Sequence, residues 1–98
     1  MIATATVREA AAAAQRGECL LDVREPAEHA AGHPAGALLM PLALVPLRID
    51  ELDRTARVLV ICQSGARAHQ ACAYLASRGF DAVLVDGGIG AWQAAGLP

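Results

Sequence analysis

The chain has 98 residues, of which 55% are hydrophobic and 18% charged, and its formal net charge is −2. That length fits one compact domain over residues 1–98, with a core drawn from Ala, Val and Leu because Trp, Tyr and Phe occur once each. The eight basic residues are all arginine and are scattered, so no electrostatic footprint for nucleic acid exists, and the lack of lysine excludes Schiff-base chemistry and a Walker-type phosphate loop.

From the N-terminus, Thr6 is placed to cap a helix over 7–16, stopped by Gly17, with Val7, Ala10, Ala11 and Ala14 on its inner face. The alanine run at 10–14 is bounded by Arg8, Glu9, Gln15 and Arg16, too short for the apolar region of a signal peptide. Residues 19–23 read as a buried strand, and 26–31 as a short helix with Pro26 in its first turn and Gly32 at its end. A second short strand is expected over 37–40. Pro41, Pro46 and mixed polarity make 41–55 irregular, with a helical turn or two between 44 and 52.

The run Val58-Leu59-Val60-Ile61 has no alternation, as expected of a strand covered on both faces in a parallel sheet. It ends in Cys62, and Ala68, Ala71, Cys72 and Leu75 then form one stripe of a helix over 67–78. A last strand is expected over 82–85, a turn at Asp86-Gly87-Gly88, and a terminal helix over 89–95 closed by Gly96. Strands separated by helices define an α/β fold with a parallel or mainly parallel sheet.

Chemistry is expected beyond the carboxyl ends of the strands. Cys62 lies there, before the N-terminus of a helix whose unpaired N–H groups and dipole favour an anion such as a thiolate. Gly65 can curl the loop, and Arg67 can add a permanent charge. Two readings of Cys62 stand side by side: a candidate nucleophile, or an inert buried thiol ending a core strand. Asp22 and Arg24 are read as an ion pair fixing the turn after the first buried strand, with direct catalysis as the alternative. Gly87 and Gly88 are expected where only glycine tolerates the backbone. Trp92 is read as core, His29 and His69 as exposed helix residues, His33 as a surface or turn residue, and Cys19 and Cys72 as buried. Three cysteines, odd in number and irregularly spaced, suggest neither a disulfide framework nor a zinc site. A reducing compartment, the cytoplasm, is the simpler expectation, and no stretch approaches a membrane span.

The order and spacing of Leu21-Asp22-Val23-Arg24-Glu25-Pro26, Gly32-His33, Gly36-Ala37, the loop Cys62-Gln63-Ser64-Gly65-Ala66-Arg67, Asp86-Gly87-Gly88, Ala91-Trp92 and Gly96-Leu97-Pro98 resemble a single-domain rhodanese. The resemblance implies a five-stranded, mainly parallel sheet flanked by helices on both faces. It implies a sulfurtransferase in which Cys62 takes the outer sulfur of thiosulfate or a persulfide donor, holds it as a persulfide, and passes it to cyanide or a thiol. Gln63, Ser64, Gly65, Ala66 and Arg67 would supply the donors around the sulfur, and no metal or organic cofactor is implied. Relatives of the fold that hydrolyse phosphate esters or reduce arsenate carry one more residue between cysteine and arginine, so this loop length favours sulfur. A module relaying sulfur between proteins, and a non-catalytic binding domain, are the other readings. The segment His33-Pro34-Ala35-Gly36 places proline one position earlier than the family pattern, and Gln63 stands where many members have arginine.

Overall fold

Four consecutive apolar residues, Val58–Ile61, form the strand β4 at the middle of the sheet, buried throughout. The computed structural model describes residues 2–98. Its elements in chain order are β1 (Ala3–Ala5), α1 (Val7–Gln15), β2 (Cys19–Asp22), α2 (Pro26–Ala30), β3 (Leu38–Leu39), α3 (Val45–Arg48) between two 3-10 turns, β4, α4 (Ala66–Ser77), β5 (Ala82–Val85) and α5 (Gly88–Ala94). The strands join in the order β1-β5-β4-β2-β3, every pairing parallel. The expected α/β fold, its five strands and its parallel sheet are what is observed.

Alternation along β2 and β4 sorts the core into two layers. Leu21, Val23, Val58, Val60 and Cys62 share one layer with Val45 and with Ala68, Ala71, Cys72 and Leu75 of α4. Leu20, Leu59 and Ile61 share the other with Val7, Ala10 and Ala11 of α1 and with Ile89 and Trp92 of α5. Helices thus cover both faces, which is why β4 reads as an unbroken apolar run.

Helix α1 starts at a reciprocal cap, the Glu9 N–H donating to Thr6 Oγ1 at 3.1 Å and the Thr6 N–H to Glu9 Oε1 at 2.8 Å. The strand at 19–23 runs to Asp22, and that at 37–40 shrinks to two residues. β1 is the strand that the reading of individual residues did not mark. Ala-Thr-Ala carries no apolar run, and its pairing of Ala3, Thr4 and Ala5 with Val83, Leu84 and Val85 places it at the sheet edge. Among the described residues no helix is long and apolar enough to cross a membrane.

Ladder hydrogen bonds continue past the strand ends: Val23 N–H to Ile61 O at 3.0 Å, Met40 N–H to Asp22 O at 2.9 Å and Leu42 N–H to Val23 O at 3.1 Å. They draw the residues after β2, β3 and β4 together along one edge. The end of β4, in the middle of that edge, carries Cys62.

Candidate active site

Cys62 leaves β4 with its side chain on the α4 side, and its sulfur is nearly enclosed. Two backbone N–H groups donate to Sγ, from Gly65 at 3.0 Å and Ala68 at 3.3 Å. The first is aimed by backbone geometry, since Gly65 has φ +117°, a conformation that side chains disfavour, and stands as the cap residue of α4. The second belongs to the first turn of α4, where N–H groups have no partner inside the helix. With no side-chain cap on this helix, the cysteine sulfur fills that role. Of the loop residues expected to ring the sulfur, Gly65 donates its N–H; Ala68 lies outside that expected set and supplies the second donor. The side chains of Gln63 and Ser64 point to solvent, and Ala66 is exposed at the start of α4.

The loop is held from behind by α5. Ile89 N–H donates to Cys62 O at 3.0 Å and Gly90 N–H to Gln63 O at 3.4 Å. The approach requires Gly88: its φ is +59°, and a Cβ there would lie 2.5 Å from Gln63 O and 2.6 Å from Cys62 O. Gly88 has the permissive backbone expected of it, and it is also the surface on which the cysteine loop rests. We expect Gly88→Ala to lower stability by about 2 kcal/mol, through left-handed strain and a backbone clash, or roughly 10 °C in Tm. Gly90→Ala, where a Cβ meets open space, should stay within about 1 kcal/mol of the native chain. Thermal melts of the two variants check the contrast.

Arg67 is turned to a partner on another element. Its Nη1 and Nη2 donate to Glu28 Oε1 and Oε2 at 2.6 and 2.9 Å, joining α4 to α2. Glu28 Oε1 also accepts the Glu25 N–H at 3.0 Å. The Arg67 hydrogen bonds, then the Glu25 one, pull the Glu28 carboxyl down to about 2. Arg67 is pushed up in turn, first by Glu28, with the Cys62 thiol and Glu25 adding to it. Among the described residues no hydrogen bond joins Arg67 to Sγ, so its charge reaches the sulfur only through space.

Asp22 and Arg24 form the expected ion pair, both buried. Arg24 Nε and Nη2 donate to Asp22 Oδ1 and Oδ2 at 3.0 and 2.9 Å, and the Arg24 N–H donates to Oδ1 at 3.0 Å. Arg24 Nη2 also reaches Gly32 O at 2.8 Å, tying the end of β2 to the turn after α2. Burial pushes the Asp22 carboxyl up, but the hydrogen bonds from Arg24 and His29 outweigh it, and the carboxyl lies below its ordinary range.

His29 departs from expectation. It is half-buried, its Nδ1 is 2.9 Å from Asp22 Oδ2, and its ring stacks on His33 at 3.7 Å. A carboxylate only accepts, so His29 Nδ1 is the donor in this contact. Helix α2 is a turn and a half long, and His29 faces the carboxylate at the end of β2. His33 is exposed, as expected, with Nδ1 2.9 Å from His29 O. His69 is exposed, again as expected.

Cys72 is buried, and burial followed by the proximity of Cys62 pushes its thiol up to about 12. Cys19 is half-buried, its thiol also raised by burial. Among the described residues no group of three or more His, Cys, Asp and Glu side chains is arranged to hold a metal ion. Trp92 is core, as expected, with Nε1 donating to Pro98 O at 3.3 Å. It also helps to line a cleft of ≈ 210 Å³ with His33, Pro34, Ile89, Leu97 and Pro98, and Cys62 does not border that cleft.

The chain is thus an α/β protein with a cysteine sulfur held by main-chain donors at the end of the central strand of a five-stranded parallel sheet. The family model of the rhodanese-like domain matches residues 6–95, and the chain belongs to that family. Among curated proteins it is 48% identical over 80 residues to a sulfurtransferase of Allochromatium vinosum, covering 81% of this chain and 75% of that one. It is 38% identical over 81 residues to thiosulfate sulfurtransferase GlpE of Pseudomonas putida, covering 82% and 74% respectively. Among solved structures, a rhodanese-related protein of Thermoplasma volcanium superposes with a TM-score of 0.90 at 29% identity, over 98% of this chain and 95% of that one.

Proposed function

We propose that the chain is a sulfurtransferase whose catalytic residue is Cys62, taking sulfane sulfur from thiosulfate or a persulfide and giving it to cyanide or a thiol, free or on a relay protein. The observation that carries this reading is the pair of main-chain N–H groups on Cys62 Sγ. Donors fixed by the backbone need no reorganisation, and they favour the negative charge of the attacking thiolate and of the persulfide it becomes.

In the loading step the Cys62 thiolate forms a bond to the outer sulfur of the donor. The donor's S–S bond breaks, and sulfite, or the thiolate of a persulfide donor, departs with the electron pair. In the unloading step cyanide takes the outer sulfur as thiocyanate and the Cys62 thiolate is restored, with no net oxidation. Gln63, Ser64, Gly65, Ala66 and Arg67 form the loop that a donor meets at the site, with the Gly65 N–H on the sulfur. Asp22 and Arg24 support it by fixing the neighbouring turn. The short loop favours sulfur over phosphorus, because a transferring phosphoryl group presents three equatorial oxygens to be held at once. Three unpaired thiols support a reducing compartment, the cytoplasm.

The test is intact mass. After incubation with thiosulfate or an organic persulfide the purified chain should gain the mass of one sulfur atom, and cyanide or dithiothreitol should remove it. No gain from any sulfane donor, together with turnover of an aryl phosphate, would overturn the reading.

A further inference from the structure

The hydrogen bonds of Arg67 bear on which sulfur donors the site accepts. Arg67 is the one charged residue between Cys62 and the body of α4, and both of its terminal nitrogens are engaged by Glu28. The next cation along this edge, Arg24, is buried against Asp22. Glu25 lies close enough to act on Arg67 through space. Each of these two arginines is therefore matched by a carboxylate, Arg67 by Glu28 and Arg24 by Asp22, with the Glu25 charge added beside Arg67. Gln63 and Ser64, the outermost residues of the loop, are exposed and uncharged.

We propose that Glu28 is a specificity-determining residue: by occupying the Arg67 guanidinium it cancels the only cation of the sulfur loop, so that the site takes sulfane sulfur from singly charged or neutral donors in preference to the thiosulfate dianion. The inference rests on the persulfide reading of Cys62. Loading from thiosulfate brings a dianion up to a thiolate, and the two N–H groups on Sγ stabilise the thiolate without offsetting the approaching charge. A monoanion meets half of that repulsion. Because the Arg67–Glu28 pair is partly exposed, a dianion could displace the carboxylate from the guanidinium. The carboxylate would still stand beside it, so the balance of charge would be unchanged.

The step is the same for two donors of matched size. Methanethiosulfonate, a monoanion, gives its outer sulfur to Cys62 and releases methanesulfinate; thiosulfate, a dianion, releases sulfite. The experiment measures kcat/KM for both donors in the native chain, in Glu28→Gln, which preserves the hydrogen-bond acceptor to Arg67 and the Glu25 N–H, and in the double variant Glu28→Gln with Arg67→Gln. In Glu28→Gln the ratio of thiosulfate to methanethiosulfonate should rise about tenfold, mostly through KM, and added salt should erase the gain. The double variant should return the ratio to its native value.

A ratio unchanged by Glu28→Gln, or a raised ratio that survives removal of Arg67, overturns the proposal, because a purely structural role would affect both donors alike. Failure of Cys62 to load from either donor in every variant overturns the sulfurtransferase reading itself. Loading from both with a charge-blind ratio overturns only the role of Glu28.

Discussion

Cys62→Ser should keep its fold and lose sulfur loading by at least about 10³-fold, the scale on which a nucleophile's removal acts. A serine oxygen still accepts the Gly65 and Ala68 N–H groups that now donate to Sγ, so the loop keeps its partners. The hydroxyl is not ionised at neutral pH, and it cannot form the S–S bond on which the proposed cycle turns. The other thiols are built-in controls. Cys72 is buried with its thiol raised to about 12, and Cys19 lies at the opposite end of β2 from the site. Neither has a thiolate available near neutral pH. Intact mass after thiosulfate or persulfide, and thiocyanate release with cyanide, should therefore be silent in Cys62→Ser and retained in Cys72→Ala. The reverse pattern would move the chemistry to Cys72.

Asp22→Asn should lower stability by about 3–5 kcal/mol, the range for leaving one member of a buried pair without its counter-charge, or roughly 20 °C in Tm. Arg24 is 3% exposed, so water cannot replace the lost carboxylate. The pH dependence follows from the sign of the Asp22 shift. Its carboxyl is depressed in the folded chain, so its contribution is complete above the ordinary carboxylate range near about 4. That contribution fades as pH falls through the depressed value. The difference in Tm between native chain and variant should thus be widest at neutral pH and close in acid. A variant that melts with the native chain at neutral pH would show that the pair adds nothing to stability.

The reach of the sequence can be judged residue by residue. β4, the loop after it and α4 were legible because each announces itself locally: an unbroken apolar run, a glycine before a helix, and a stripe at helical spacing. The boundaries of α4 differ by one residue at each end, as helix ends do. The partners of the site residues were less legible, because they come from distant parts of the chain. Arg67 and Glu28 are 39 positions apart, and nothing near Arg67 tells that its charge is taken. The hydrogen bonds from α5 to the cysteine loop depend on the packing of β5 beside β4, and only the pair Gly87-Gly88 hinted at a close approach. The inward turn of His29 is not legible because α2 is too short for periodicity to reveal which side faces the sheet. β1 has too little apolar character to be seen before its partner β5 is in place.

The lengths of the strands carry a consequence for the behaviour of the chain in concentrated solution. The central strands β2, β4 and β5 have four residues each, while the edges are β1 with three and β3 with two. At the β3 edge, Arg48 Nη1 already donates to Leu39 O at 3.3 Å. An incoming extended segment therefore finds at most a few unpaired main-chain groups in register, and at one edge a guanidinium lies against the row. Sheets grow by templating on long, flat, unpaired rims, and this one tapers before such a rim can form.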